Sequence, residues 1–258
     1  MHDGICVLIP TCNDAAVIKR CIESVMAAGV DARHIYVVDD ASTDATRDVV
    51  WGFVGINVRV NPDNRGRMGG VTDAVAHFRL AERYEYFAIL DADSHIPTDY
   101  FTEILVRFLE YPEAVLVCGT PRSERHNWFT AYRAYEYALT LRLYRLARLV
   151  VTVAPGCASV YRTHALHQLE WESEMDQTVQ VRRRRLGQIV YARNAVVYTK
   201  DPRSLRDYVS ELTRWYRGSW QVLRLRGVPF RHETRPDSDV NAAERAVLVR
   251  GVHQSIWR

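Results

Sequence analysis

The sequence predicts an α/β protein with one mostly parallel central sheet and helices on both of its faces. Two observations carry that expectation. Short apolar runs alternate with segments of helical periodicity through the first 120 residues, a pattern that implies right-handed crossovers between parallel strands. Polar clusters fall at the ends of three of those runs, and ligands of such sheets bind beyond the carboxyl ends of the strands.

Taken in order, "ICVLIP" (5–10) reads as a buried strand. A helix follows from Ala15 to Ala28, with Val17, Ile18, Cys21, Ile22 and Val25 along one face. "HIYVVDD" (34–40) is the second strand, after which Ser42 or Thr43 is placed to cap a helix. "INVRV" (56–60) is a third, weaker strand, and the turn-rich "NPDNRGRMGG" opens a helix running to about Glu82. "YFAILDAD" (86–93) is the fourth strand, Asp99 to Leu109 a helix and "AVLVCG" (114–119) the fifth strand. The second half is less regular. Asn127 to Leu149 reads as a long helix rich in aromatics, "GCASVYR" (156–162) as a short strand leaving a glycine loop, and Asp176 to Leu186 as a helix. "QIVYARNAVVYT" (188–199) is a strand pair or one bent strand, and Pro202 precedes a helix from about Ser204 to Leu225. A short amphipathic helix, Val240 to Ile256, ends the chain.

Composition sets the limits. The chain has 258 residues, 48% of them apolar, and no low-complexity tract or Gly/Ser/Pro-rich linker that would divide it. Its net charge is only +3, yet from Val179 to Arg235 there are 14 Arg/Lys against 4 Asp/Glu. Such a basic third suits a polyanionic ligand, an acidic membrane surface or a diphosphate. Only Lys19 and Lys200 are lysines, so a general preference for arginine accounts for much of the Arg content and no single arginine is singled out by type. The five cysteines are odd in number and lack metal-ligand spacing, which favours free thiols in a reducing cytosol. No signal peptide is recognised at the start, and no run approaches about 18 apolar residues, so no membrane-spanning helix is expected.

The chemistry gathers at strand ends: Thr11-Cys12-Asn13-Asp14, Asp39-Asp40, and Asp91 with Asp93. Asp39-Asp40-Ala41-Ser42 alone also reads as a turn with a helix cap; the joint placement of the clusters on one sheet edge favours a pocket. Two carboxylates one residue apart at the end of a buried strand suit Mg²⁺ or Mn²⁺, which prefer oxygen ligands and leave part of the shell to substrate phosphates.

Several ordered motifs together resemble a known family. "VLIPTCND", "VVDDASTDAT", "NRGRMGGVTDAV", "LDAD", "PGCASVYR", "SEMDQTVQVRRRRLG" and "ELTRWYRGSW" occur in that order between Ile5 and Gln221. They resemble the family-2 glycosyltransferases of GT-A fold, within them the branch of the cellulose, chitin and hyaluronan synthases. The resemblance implies a Rossmann-like sheet in a single domain over 1–235, with a nucleotide-sugar-binding half (1–120), an acceptor and catalytic-base half (121–235), and a helical tail at 236–258. It further implies an inverting, metal-dependent transfer of a sugar from a nucleoside diphosphate sugar, a uridine diphosphate sugar by expectation, to an acceptor hydroxyl. The acceptor classes it leaves open are a glycan, a lipid-linked glycan, a protein and a modified nucleic acid.

Residue by residue, the resemblance puts the nucleotide on Pro10, Thr11, Asn13, Asp39, Asp40, Arg67 and Asp91, and the Mn²⁺ or Mg²⁺ on Asp93 with Asp91. It puts the acceptor and the diphosphate against Gly156, Glu211, Arg214 and Trp215, and makes Asp176 the general base. Two positions depart from the family pattern: Met175 stands where a glutamate is usual, and Glu211 replaces the glutamine of Q-x-x-R-W. Local readings stand beside these roles. Asp176 also suits a helix cap or dipole partner; Arg182 to Arg185 suit a solvated run, because four successive residues point all round a helix; Trp215 suits a core position and His95 a surface turn.

Polymer-extruding members carry membrane helices after the R-W segment, whereas this chain turns polar at "RHETRPDSD". A cytoplasmic enzyme is therefore expected, with the aromatic and Arg-rich segments as the place for any peripheral membrane contact. Two other classes remain. A sugar-nucleotide pyrophosphorylase would carry a Gly-rich loop after the first strand, and "PTCNDAAV" has no glycine. A non-catalytic module binding nucleic acid or polysaccharide would have no need of Asp91, Asp93 and Asp176 together.

Overall fold

Seven strands form one sheet in the order β3-β2-β1-β4-β6-β5-β7. The computed structural model describes residues 4–124, 130–132, 135, 154–170, 173–200, 202 and 204–226; the helices expected over 127–149 and 240–256 lie almost wholly or wholly outside these. Strand β1 (Ile5–Thr11) is buried along its whole length. It pairs in parallel with β2 (Ile35–Asp39) on one side and with β4 (Tyr86–Ile89) on the other. Strand β3 (Asn57–Val60) extends the parallel set beyond β2 and forms that edge.

The other half of the sheet departs from simple alternation. Strand β6 (Ser159–Arg162) inserts between β4 and β5 (Ala114–Ser123), antiparallel to both. The stretch expected as one strand from Gly156 instead begins with a 3₁₀ turn, Gly156–Ala158. Strand β7 (Gln188–Thr199) is one irregular strand running parallel to β5, with shifts of register at Ala114/Leu116 and Cys118/Thr120. Gly119 sits at the second shift. A Cβ there would lie 2.6 Å from the Ala195 carbonyl oxygen, so the bend of β7 requires glycine.

Helices cover both faces. α1 (Ile18–Ala27) buries Ile18, Cys21, Ile22 and Val25, four of the five residues in the stripe read from the sequence, while Val17 precedes the helix and is half-buried; full burial of each of its Ile and Val side chains contributes about 1.5–3 kcal/mol. Its start is three residues later than expected, because Ala15–Val17 form a turn. α2 (Thr46–Trp51) is short, and its N-cap, Ala45, has no side-chain cap; Ser42 and Thr43 do other work in the site. The single helix expected to reach Glu82 is two, α3 (Gly66–Phe78) and α4 (Leu80–Arg83), separated at Arg79, whose φ of 54° is left-handed. α5 (Tyr100–Glu110) carries the chain from β4 to β5 and buries Tyr100, Phe101, Ile104 and Phe108. Past β6 come α6 (Thr163–Leu166), α7 (Glu174–Arg183) and α8 (Leu205–Arg226). The carboxyl ends of β1, β2 and β4 thus share one edge, and α8 reaches it.

Candidate active site

The loops that leave β1 and β2 hold each other. Asn13 and Ala41 both adopt left-handed backbone, with φ of 60° and 61°, a conformation that costs an alanine about 1 kcal/mol or more. Cross-loop hydrogen bonds offset it. The Asn13 N–H donates to Ser42 Oγ at 2.9 Å, and Asn13 Oδ1 accepts from the Thr43 and Asp44 N–H groups at 2.8 and 3.2 Å. Asp14 Oδ2 accepts from the Thr11 hydroxyl and the Cys12 N–H at 2.9 and 3.0 Å.

The two aspartates that end the second strand run separate. Asp39 is buried and ion-paired to Arg47 at 2.6 Å, and it accepts from the Ser42 N–H at 3.1 Å. Asp40, also buried, faces the other way. Asn61 Nδ2 donates to its Oδ1 at 3.0 Å, and the Arg65 N–H is shared between both of its oxygens at 3.0 Å. Asn64 Oδ1 receives the N–H of Gly66, whose φ of 73° favours glycine, and Asn64 Nδ2 donates to Cys12 Sγ at 3.3 Å.

Beyond β4, the turn with Asp91 and Asp93 is clamped from below. The Ser94 N–H donates to the Asp91 carbonyl at 2.9 Å, His95 exchanges two 2.9 Å backbone hydrogen bonds with Tyr198 of β7, and the two rings stack 5.1 Å apart. Arg67, on the first turn of α3, reaches across to this turn. Its Nη2 and Nε lie 2.6 and 2.8 Å from Asp91 Oδ1, and Nη2 also donates to the Gly156 carbonyl at 3.2 Å.

These elements enclose a cleft of about 280 Å³ lined by Pro10, Thr11, Cys12, Asp14, Val38, Asp40, Asn64, Gly66, Arg67, Gly70, Asp91, Ala92, Asp93 and Arg214. Carboxylates crowd it. Burial, then the charges of Asp91 and Asp14, push the Asp93 carboxyl up to about 6, and the Ser94 hydroxyl and Lys200 only partly oppose this. Burial and the Asp40 carboxylate likewise raise the Cys12 thiol. A site that holds a carboxylate so reluctantly charged is one a hard cation relieves, and its donors are oxygens. Among the described residues no three His, Cys, Asp or Glu side chains form a ready-made metal cluster. Asp91 and Asp93 offer oxygen donors of the kind that Mg²⁺ or Mn²⁺ takes when phosphate oxygens complete its shell.

The structure brings together seven residues expected from the sequence: Pro10, Thr11, Asp40, Arg67, Asp91, Asp93 and Arg214. Asn13 and Asp39 are absent from the lining, because their side chains are committed to the loops behind it. Gly156 stands just behind Arg67. Asp176 is fully buried at the third position of α7 and does not line the cleft. Its N–H donates to Ser173, which caps the helix, and its Oδ2 accepts from Gln180 Nε2 at 2.6 Å. α7 is tied to the segment before Gly156, for the Ala154 N–H donates to Thr178 Oγ1 at 2.9 Å. Glu211 and Trp215 lie in α8, and their side chains are outside the described set. His95 is half-buried in a β-bridge to Tyr198, not in a surface turn, and is clear of the lining; Arg183 to Arg185 are exposed as expected, whereas Arg182 is half-buried. Asn61 was missed, as its pairing with Asp40 spans 21 residues; its place at the end of the third strand was the one available signal.

A family model described as glycosyl transferase family 2 matches residues 6–170. The chain is 23% identical over 239 residues to a poly-β-1,6-N-acetyl-D-glucosamine synthase of Staphylococcus epidermidis, covering 86% of this chain and 56% of that one. A Staphylococcus aureus counterpart gives 23% over 237 residues. The chain thus spans little more than half the length of these curated relatives. Among solved structures, S. aureus TarS superposes with a TM-score of 0.64 at 13% identity, covering 98% of this chain and 43% of TarS. Glucosyl-3-phosphoglycerate synthase from Mycobacterium tuberculosis, solved with Mn²⁺ and uridine-diphosphate-glucose, gives 0.60 at 18%, over 84% of this chain and 78% of the other. Mannosyltransferase PcManGT from Pyrobaculum calidifontis, solved with GDP-Man and Mn²⁺, gives 0.62 at 15%, over 96% and 75%. These likenesses establish the GT-A fold.

Proposed function

The chain belongs to glycosyl transferase family 2, and from that premise we propose that it moves a sugar from a nucleoside diphosphate sugar, a uridine diphosphate sugar first among them, to an acceptor hydroxyl with inversion at the anomeric carbon. The observation that carries the proposal is one cleft in which two carboxylates, Asp91 and Asp93, stand with two guanidiniums, Arg67 and Arg214, beside the buried Asp40. Sugar transfer has two physical problems, a poor nucleophile and a leaving group with concentrated negative charge. Arg67 and Arg214 address the second by holding the diphosphate oxygens. Asp93 and Asp91 would hold Mn²⁺ or Mg²⁺, which supplies further charge neutralisation to the diphosphate when bound.

Asp40 offers carboxylate oxygens to a base N–H, with Asn61 and the Arg65 N–H fixing its orientation; Asp39 and Asn13 act from behind by holding the loops. Pro10 and Thr11 form the wall along the nucleotide. The family pattern, not the geometry, supports Asp176 as the group that takes the proton of the acceptor hydroxyl, for it is buried off the cleft lining; the acceptor half (121–235) includes Gly156, Glu211 and Trp215. The acceptor is a glycan, a lipid-linked glycan, a protein or a modified nucleic acid. Among the described residues no helix is long and apolar enough to cross a membrane; a cytoplasmic enzyme that meets the membrane from its surface is the reading carried forward.

Thermal stabilisation by a panel of nucleoside diphosphates and nucleotide sugars, each with and without Mn²⁺, tests the donor side. The expected result is a rise in melting temperature for a nucleoside diphosphate that is larger with Mn²⁺. No stabilisation by any of them would overturn the proposal.

A further inference from the structure

α7 buries polar side chains where a helix packed on a core would bury apolar ones. Asp176, Gln177, Thr178 and Gln180, four of five successive residues, are each 2% exposed or less. Such groups stay buried when they are hydrogen-bonded, and three of them tie the helix to its surroundings. Gln177 Oε1 accepts from the Tyr161 hydroxyl of β6, and Thr178 Oγ1 from the Ala154 N–H at 2.9 Å. Gln180 makes the third tie, to the loop after α6. Its Oε1 accepts from the Glu170 N–H at 3.0 Å, and its Nε2 donates to the Glu170 carbonyl at 2.8 Å.

Gln180 has one more partner. It lies four residues beyond Asp176 on the same helix face, and its Nε2 also donates to Asp176 Oδ2 at 2.6 Å. The partners fix which way the amide points, since turning it over would set Oε1 against a carbonyl and a carboxylate. The helix cap is Ser173, which accepts from the Asp176 N–H at 3.1 Å, so the Asp176 carboxylate is not the group that starts the helix. With Oδ2 held by an amide that is itself anchored on Glu170, the carboxylate cannot turn about its Cβ–Cγ bond without breaking a charge-assisted hydrogen bond. The donor is also neutral. A buried carboxylate needs hydrogen bonds to stay ionised, and a lysine or arginine in the same place would lower its basicity further. The loop has a second tie to α7, because Arg184 pairs with Glu170 at 2.7 Å and donates to the Gln168 carbonyl, so its place does not depend on Gln180 alone.

We propose that Gln180 is the positioning residue for Asp176: it sets the orientation of the carboxylate that takes the acceptor proton, as the third member of a nucleophile, base and orienter set. The inference rests on the reading of Asp176 as general base, and Gln180 itself touches no substrate.

The test is nucleoside diphosphate release with Mn²⁺ and water as acceptor, from UDP-glucose, UDP-N-acetylglucosamine and GDP-mannose, with kcat and KM measured on the fastest. In that step the water oxygen bonds the anomeric carbon, the bond to the diphosphate breaks and the water proton passes to Asp176. Gln180→Met, close in volume, should lower kcat by about ten- to a hundredfold and leave KM within about twofold. Gln180→Glu keeps an acceptor for the Glu170 N–H but sets a second carboxylate against Asp176, and it should lower kcat at least as far. In an Asp176→Asn background, Gln180→Met should add no more than about twofold, because no base is left to orient. Equal losses in both backgrounds, a change in KM as large as that in kcat, or wild-type kcat in either Gln180 variant while Asp176→Asn is slow, would overturn this inference alone. Wild-type turnover in Asp176→Asn, or no release by the unaltered protein from any of the three donors, would overturn the reading beneath it.

Discussion

Replacing Arg67 by glutamine should move two affinities in opposite directions. In the cleft the guanidinium holds Asp91 Oδ1 through Nη2 at 2.6 Å and Nε at 2.8 Å. A cation that binds Asp91 must therefore compete with Arg67 or share the carboxylate with it. Charge centres about 4 Å apart interact by roughly 4 kcal/mol at an effective dielectric constant near 20. The side chains are 25 and 33% exposed, so solvent reduces this to about 1–2 kcal/mol. Losing Arg67 should tighten Mn²⁺ binding to the free protein by about tenfold, since about 1.4 kcal/mol is one decade. The diphosphate loses a charged donor worth about 1.5–3 kcal/mol, so nucleoside diphosphate affinity at saturating Mn²⁺ should fall by about ten- to a hundredfold. Loss of the free Mn²⁺ paramagnetic signal on titration measures the first quantity, and calorimetry the second. If Mn²⁺ bound Arg67→Gln more weakly than wild type, or the nucleotide bound both equally, Arg67 would be a structural tie to Asp91 and Gly156 and nothing more.

Four further outcomes are expected. Asp40→Asn should weaken nucleotide binding by about tenfold, whereas Asp39→Asn should leave it within about twofold and lower stability by about 1–3 kcal/mol through Arg47; chemical denaturation and nucleotide titration on both variants check the pair. Asp176→Asn should lose about 10²–10⁴ in turnover while nucleotide stabilisation persists, and wild-type turnover would remove the residue from the general-base role. Because Asp93 is pushed up to about 6 in the folded protein, its ionisation disfavours the fold: stability should decline as pH rises from about 4 to 6. Mn²⁺ should reverse that decline above pH about 6 and fade below it as protons compete, as read by melting temperature across pH. Finally, iodoacetamide should modify Cys12 slowly at neutral pH and faster as pH passes its raised thiol pKa. A bound nucleotide should block that reaction, and the buried Cys6, Cys21 and Cys118 should stay unmodified in the native protein, as mass spectrometry of peptides would report.

How much of this was legible in the sequence turns on distance along the chain. The parallel core of β1, β2 and β4, and the carboxylates beyond β4, were readable because apolar runs end where strands end. The antiparallel β6 was not, because its partners lie about 40 and 70 residues away in the register, and a four-residue run carries no sign of direction. Nor was the break at Arg79, since nothing local marks an arginine for left-handed backbone. Asn61 shows the same limit within the site: its identity suggested a turn, and only folding sets its amide on Asp40.

The paired acids show where local rules suffice. Successive residues of an extended chain point to opposite sides, so two adjacent acids cannot both face one pocket, whereas acids at i and i+2 can. Asp39 and Asp40 obey the first case, one paired to Arg47 and the other lining the cleft. Asp91 and Asp93 both line it as well, but from a turn beyond the end of β4 and with Ala92 between them on the same wall, so a turn and not strand alternation turns them inward. What spacing cannot say is which member of an adjacent pair faces inward, because that depends on where β2 ends relative to β1: the Asp40 N–H donates to the Thr11 carbonyl at 2.9 Å. A one-residue slip of β2 would exchange Asp39 and Asp40, leave Arg47 without its buried partner, and turn the Asn61 amide toward the wrong carboxylate. The register between two central strands is thus the step that converts a common acidic dipeptide into one structural and one ligand-facing carboxylate.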